Sequence, residues 1–173
     1  MDSNPYPETR FKRILFCTDF SESADAAFDF AIDAAIRRPG STLHILHVIH
    51  EPDAQFWRSY LYEVEDVDEQ AKRAIDVKIA ESYCTRVPAG VSVQVEVRAG
   101  PEAATVLQFA EEARIDVIVL GRHGRGGVQK ALFGSVAEKI VRKARCAVLV
   151  VPLDYARTRP AEPPEPAGPE ASG

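Results

Sequence analysis

The chain has 173 residues, 46% of them apolar and 27% charged, and a formal net charge of −5. That gives room for one domain with a sizeable core, in a composition ordinary for a soluble protein. No apolar run approaches the roughly 20 residues that span a bilayer, and the net acidity argues against a nonspecific nucleic-acid coat.

The opening segment MDSNPYPETRFKR has no secretory h-region, so a cytoplasmic chain is expected, with residues 1–10 as an extension. Arg13–Thr18 (RILFCT) is a short apolar run ending at Asp19 and reads as a fully buried strand. Ser21 or Ser23 can cap the helix that follows. Its apolar face runs through Ala24, Ala27, Phe28, Ala31, Ile32 and Ala35 at i, i+3, i+4 spacing, and Pro39-Gly40 ends it. Thr42–Ile49 (TLHILHVI) is the second strand. Residues 50–64 have no clean period and form an aromatic-rich excursion carrying Phe56, Trp57, Tyr60 and Tyr62, either a lid or packing over the second helix. A helical pattern returns from about Asp66 to Arg86 through Val67, Ala71, Ala74, Ile75 and Ile79, stopped by Pro88 and Gly90.

Val91–Arg98 (VSVQVEVR) alternates strictly, valines on one face and Ser92, Gln94, Glu96 and Arg98 on the other, as a half-buried edge strand does. Gly100-Pro101-Glu102 opens a helix whose buried face is Ala103, Val106, Leu107 and Ala110. Asp116–Leu120 (DVIVL) is the fourth strand. A helix on Val136, Ala137, Ile140, Val141 and Ala144 precedes the fifth strand, Cys146–Val151 (CAVLVV). The folded domain spans 11–155. Residues 156–173 are rich in Pro, Glu, Ala and Gly, a composition that buries no core, and are expected to be disordered. Cys17, Cys84 and Cys146 show no CxxC spacing, and Cys17 and Cys146 read as buried reduced thiols. His44, His47 and His50 recur every third residue, which is not a ligand spacing on a strand, so a structural role is favoured over a metal site.

Five strands alternating with four helices imply a mostly parallel sheet covered on both faces, an α/β fold. In such sheets ligands sit beyond the carboxyl ends of the strands, where strand order reverses. Thr18-Asp19 ends the first strand. After the fourth comes GRHGRGGVQKALFGS, in which Gly121, Gly124, Gly126, Gly127 and Gly134 are interleaved with Arg122, Arg125 and Lys130. Exposed amides leading into a helix N-terminus suit a phosphate. The same segment could instead be a flexible connector. It is no P-loop, because Gly134-Ser135 is followed by Val136 and the lysine is missing. GxGxxG is absent too, which excludes a dinucleotide fingerprint.

What the residues match is Gly121-x-x-Gly124, nine residues, then Gly134-Ser135. With RILFCTDFSESA, LHILHVI, VIVLGRHGRGGVQKALFGSVAEKIV and CAVLVVP, the chain resembles the universal stress protein family over residues 11–152. The ATP-binding branch of that family implies a Rossmann-like sheet of order 3-2-1-4-5, which brings the first and fourth strand ends together. The resemblance implies ATP, with Mg²⁺, as the ligand. It implies Asp19 on the adenine with Thr18 beside it, and Val48 packing on the base. It also implies backbone near Leu120 and Gly121 by the ribose and phosphates, and Gly124, Gly134, Ser135 and Val136 around the phosphate chain. The residue before Thr18 is often proline in the family and is Cys17 here, which alters one wall of the pocket.

Each assignment has a plainer alternative. Asp19 could merely help cap the first helix. Ser135 could donate its hydroxyl to a phosphate while capping the last helix. Arg122, His123 and Arg125 could neutralise phosphate or point into water, and Lys130 reads as a solvated charge. ATP hydrolysis needs a positioned metal, a water-orienting group and a charge stabiliser, of which only the last is well supplied. A nucleotide-binding stress or signalling module is therefore favoured over a slow ATPase or a dimeric scaffold that uses no nucleotide. No catalytic and no metal-ligating residue is assigned. The fifth strand, apolar on both faces at a sheet edge, predicts a homodimer by antiparallel pairing through Ala147, Val148, Leu149, Val150 and Val151, as the resemblance also implies.

Overall fold

A computed structural model describes residues 11–50, 67–124 and 133–155. The aromatic excursion, the loop positions Arg125, Gly126, Gly127 and Lys130, and both chain ends lie outside the described residues. The elements are β1 (Arg13–Thr18), α1 (Glu22–Ile36), β2 (Thr42–His50), α2 (Val67–Ser82), a 3-10 turn (Cys84–Arg86), β3 (Ser92–Gly100), α3 (Glu102–Glu112), β4 (Val117–Gly121), α4 (Ser135–Lys143) and β5 (Ala147–Val151). The sheet order is β3-β2-β1-β4-β5, and every neighbouring pair is parallel. This is the doubly wound α/β sheet expected from the alternation. No helix among the described residues is long and apolar enough to cross a membrane.

The central strands are apolar on both faces because both faces are covered. From β1, Ile14 and Phe16 enter a cluster with Phe28, Ala31, Ile79 and Tyr83, on the side of α1 and α2. Leu15 points the other way, to Val106, Phe109, Ile118 and Ile140 on the side of α3 and α4. Each such fully buried side chain contributes about 1.5–3 kcal/mol relative to exposure. The Asp116 carboxylate accepts the N–H groups of Lys12 and Arg13, both at 2.8 Å, and ties the start of β4 to the start of β1. Asp116 itself precedes β4 rather than opening it.

Several boundaries and faces differ from expectation. The long helical pattern splits after Ser82, because Tyr83 leaves helical geometry (φ −125°, ψ −49°) and buries its ring against Phe16 and Phe28. In α3, Phe109 joins Ala103, Val106 and Ala110 on the buried face, while Leu107 is only half-buried. Val91, just before β3, and Val93 and Val97 on it pack inward as the alternation requires, but Val95 is 39% exposed at the sheet edge. Its polar face is not simply solvated either. Arg98 lies over the Phe109 ring at 4.7 Å and pairs with Glu112 at 2.7 Å. Val141 stays 48% exposed because α4 flanks the last strands and buries only one face, through Ala137 and Ile140.

Candidate functional site

Because β1 and β4 are neighbours, their carboxyl ends open into one crevice where the chain leaves the sheet in opposite directions. A cleft of about 860 Å³ lies there, within the usual range for small-molecule sites. All ten residues singled out from the sequence line it: Thr18, Asp19, Val48, Leu120, Gly121, Arg122, Gly124, Gly134, Ser135 and Val136. His123 and Cys17 line it as well. Burial pushes the Cys17 thiol pKa far up, so this wall is an apolar surface and no nucleophile.

On the β1 side, Ser21 is the N-cap of α1, its hydroxyl accepting the Ala24 N–H at 3.2 Å. Ser23 is buried instead, its Oγ facing the His123 amide at 3.4 Å. Asp19 accepts the Ser21 N–H through Oδ1 at 3.0 Å, so it does shape the helix entry. Its other oxygen faces Gly124, where an added Cβ would lie 2.7 Å from Oδ2. Thr18 is only 5% exposed and its hydroxyl is committed. It bonds Tyr83 Oη at 2.7 Å and accepts the Phe20 N–H at 2.9 Å, while Tyr83 donates to Asp25 Oδ1 at 2.9 Å. Thr18 is thus a support beneath the site. Its carbonyl sits 2.8 Å from His47 Nδ1. Phe20 adopts φ 60°, a left-handed strain of about 1–3 kcal/mol for a bulky residue.

On the β4 side the chain is arranged for close approach. A Cβ on Gly121 would come within 2.5 Å of Ser23 Oγ and 2.6 Å of Ser23 backbone, so only glycine lets β4 end against α1. The Arg122 N–H bonds the Val151 carbonyl and the Gly134 N–H bonds the Arg122 carbonyl, each at 2.9 Å. These bonds hold the start of α4 over the end of β4. The cap position of α4 is Gly134, extended at φ −68° and ψ 154°, with no side chain capping it. Ser135 is already helical, which corrects the expectation that it caps the last helix. The first-turn amides of Ser135, Val136 and Ala137 have no intrahelical acceptor and carry the positive end of the helix dipole into the cleft. Beside them, Arg122 Nε is buried and has no hydrogen-bond partner among the described residues.

Among the histidines, His44 packs edge-on against Phe109 at 5.8 Å. Burial, helped by Arg13 and opposed by Glu96, holds its pKa below the usual imidazole value. No group of three or more potential metal ligands occurs among the described residues. Sequence reasoning missed Tyr83. A lone tyrosine at the end of an amphipathic stretch carries no motif signal.

A family model described as the universal stress protein family matches residues 10–152. The universal stress protein MJ0531 of Methanocaldococcus jannaschii is 29% identical over 162 residues, covering 83% of this chain and 84% of that protein. The solved structure of the hypothetical protein MJ0577 superposes with a TM-score of 0.67 at 28% identity, covering 83% of this chain and 97% of that one. A universal stress protein from Archaeoglobus fulgidus, in complex with dAMP, gives a TM-score of 0.55 at 20% identity over 83% of this chain and 99% of its own. That last likeness is one of fold. With the match running through every strand and helix described above, the chain belongs to the universal stress protein family.

Proposed function

We propose that this protein is a cytoplasmic ATP-binding module that carries a stress or signalling state through its nucleotide. The observation that carries the reading is the uncapped N-terminus of α4 at a cleft that Arg122 also lines, its Nε buried without a hydrogen-bond partner among the described residues. Both call for an anion, and a helix N-terminus is a natural phosphate seat. A buried donor left unpaired costs about 1–3 kcal/mol, so a polyphosphate would relieve a cost that the free protein bears.

Val48 and Cys17 offer an apolar wall for the base, and Asp19 can accept a hydrogen bond from an amino group or a ribose hydroxyl. Gly124, Gly134, Ser135 and Val136 would hold the phosphate chain, with Leu120 and Gly121 backbone beside the ribose. The dAMP ligand of a neighbour with the same fold supports a nucleotide here. Magnesium usually binds through phosphate oxygens and one or two carboxylates. We assign it no protein ligand, and it would be held by the phosphate oxygens. Binding rather than turnover is the role these groups suit, since nothing we assign orients a water for attack.

We further propose a homodimer through β5. The strand ends the sheet order, and Leu149 is 39% exposed on it, an apolar edge that pairing with a second copy would cover. Light scattering at tens of micromolar should give a dimer mass. A monomer there contradicts this assembly. For the ligand, native mass spectrometry of protein purified without added nucleotide should show a mass increment equal to ATP. An increment absent even after incubation with excess ATP and Mg²⁺ would overturn the reading.

A further inference from the structure

The hydrogen bonds beneath Asp19 form a directed chain. Tyr83 has a single hydroxyl proton and donates it to Asp25 Oδ1 at 2.9 Å. The 2.7 Å contact with Thr18 must therefore run the other way, with the Thr18 hydroxyl donating to Tyr83 Oη. Thr18 Oγ1 in turn accepts the Phe20 N–H at 2.9 Å. The donors run from the Phe20 amide to Thr18 to Tyr83, and the Asp25 carboxylate accepts at the end. Such chains strengthen each member by polarisation. Burial raises the Tyr83 hydroxyl pKa, which keeps it a donor at neutral pH. The carboxylate sits in the first turn of α1, where the helix dipole favours negative charge.

The chain ends on a residue in a conformation that needs holding. Phe20 is left-handed, and its ring fits between His47 at 4.7 Å and Tyr83 at 6.1 Å, with the Lys78 ammonium 4.4 Å from its centre. Directly before it, Asp19 has one oxygen on the Ser21 amide and the other against Gly124. Were the 19–20 turn to relax, the carboxylate would leave the cleft.

We propose that Tyr83 is a positioning residue of the nucleotide site, holding through Thr18 and Phe20 the turn that aims Asp19 into the cleft. The proposal rests on the nucleotide reading for its ligand, and on the hydrogen-bond chain alone for its mechanics.

The test compares wild type with Tyr83→Phe, which keeps the buried ring and deletes the hydroxyl, and with Asp25→Ala on the exposed face of α1. Affinities for ATP and for inorganic triphosphate are measured by calorimetry, in the native background and in Asp19→Ala. Tyr83→Phe should weaken ATP by about ten-fold, the worth of one charge-assisted bond. Triphosphate binding should be unchanged, and the Asp19→Ala background should show no further loss. Asp25→Ala should shift ATP affinity the same way by a smaller factor. Without ligand, amide exchange at Phe20 and Ser21 should speed up in Tyr83→Phe while Leu15 and Phe16 keep their protection. An unaltered ratio of ATP to triphosphate affinity, an undiminished loss in the Asp19→Ala background, or unchanged exchange at Phe20 and Ser21 each overturns the proposal. If wild type binds neither ligand, the nucleotide reading falls, and the exchange rates still decide whether Tyr83 holds the turn.

Discussion

The two strand ends that form the cleft treat their polar groups in opposite ways. After β1, hydrogen-bonding groups find partners inside the protein: the Thr18 hydroxyl in Tyr83 and the Phe20 amide, the Thr18 carbonyl in His47, the Ser21 amide in Asp19. After β4, Arg122 Nε is buried without a hydrogen-bond partner among the described residues, and α4 begins without a side-chain cap. Buried polar groups are nearly always satisfied, so an exception asks for a reason. The satisfied end acts as a preformed frame, and the unsatisfied end is where a ligand's charge would be received.

That contrast breaks most sharply at two glycines. Gly121→Ala drives a methyl into the backbone of Ser23, which has little room to yield, and overpacking costs about 1–3 kcal/mol. Its melting temperature should fall by several degrees. Gly124→Val meets instead the end of the Asp19 side chain, so the fold should survive while nucleotide binding is lost. Equal loss of stability in both variants, by calorimetric melting, would erase the distinction.

Arg122→Leu sharpens the same comparison. Removing a buried donor that has no partner among the described residues should leave the free protein as stable as before or more so. Triphosphate affinity should nonetheless drop by about ten-fold or more. Destabilisation together with unchanged titration isotherms would mean that Arg122 serves the fold. On the opposite side, Asp19→Ala should reduce discrimination among bases more than it weakens phosphate binding. Equal losses for ATP and inorganic triphosphate would oppose that assignment.

The smallest expected effect lies away from the cleft. His44 is buried with its pKa lowered, so the unfolded chain takes up a proton more readily than the folded one. Stability should therefore fall as pH drops below about 6.5. Urea midpoints at about pH 7.5 and about pH 5 should converge in His44→Leu relative to wild type, and parallel shifts in the two proteins would contradict this.

What could be read from the residues follows the same division. Strands β1 and β4 were plain because strands covered on both faces are continuous apolar runs. The glycine spacing marked the open end, since close approach forces glycine whatever lies around it. The Tyr83 chain could not be read. Its partners Thr18 and Asp25 lie 65 and 58 residues away, and no local period encodes such a contact. The cap of α4 is not legible, because a serine before an apolar stretch is the usual signal, whereas Gly134 holds the extended cap geometry with no side chain to give one. Val95 alternates correctly and still ends half uncovered, because an edge position is a property of the sheet and not of the strand.

A crystal grown in excess ATP and magnesium tests the central claim most directly. The account predicts triphosphate oxygens within hydrogen-bond distance of the first amides of α4 and of Arg122 Nε, with the base lying against Val48 and Asp19. The same cleft found vacant under those conditions, with Arg122 turned out to solvent, would contradict it.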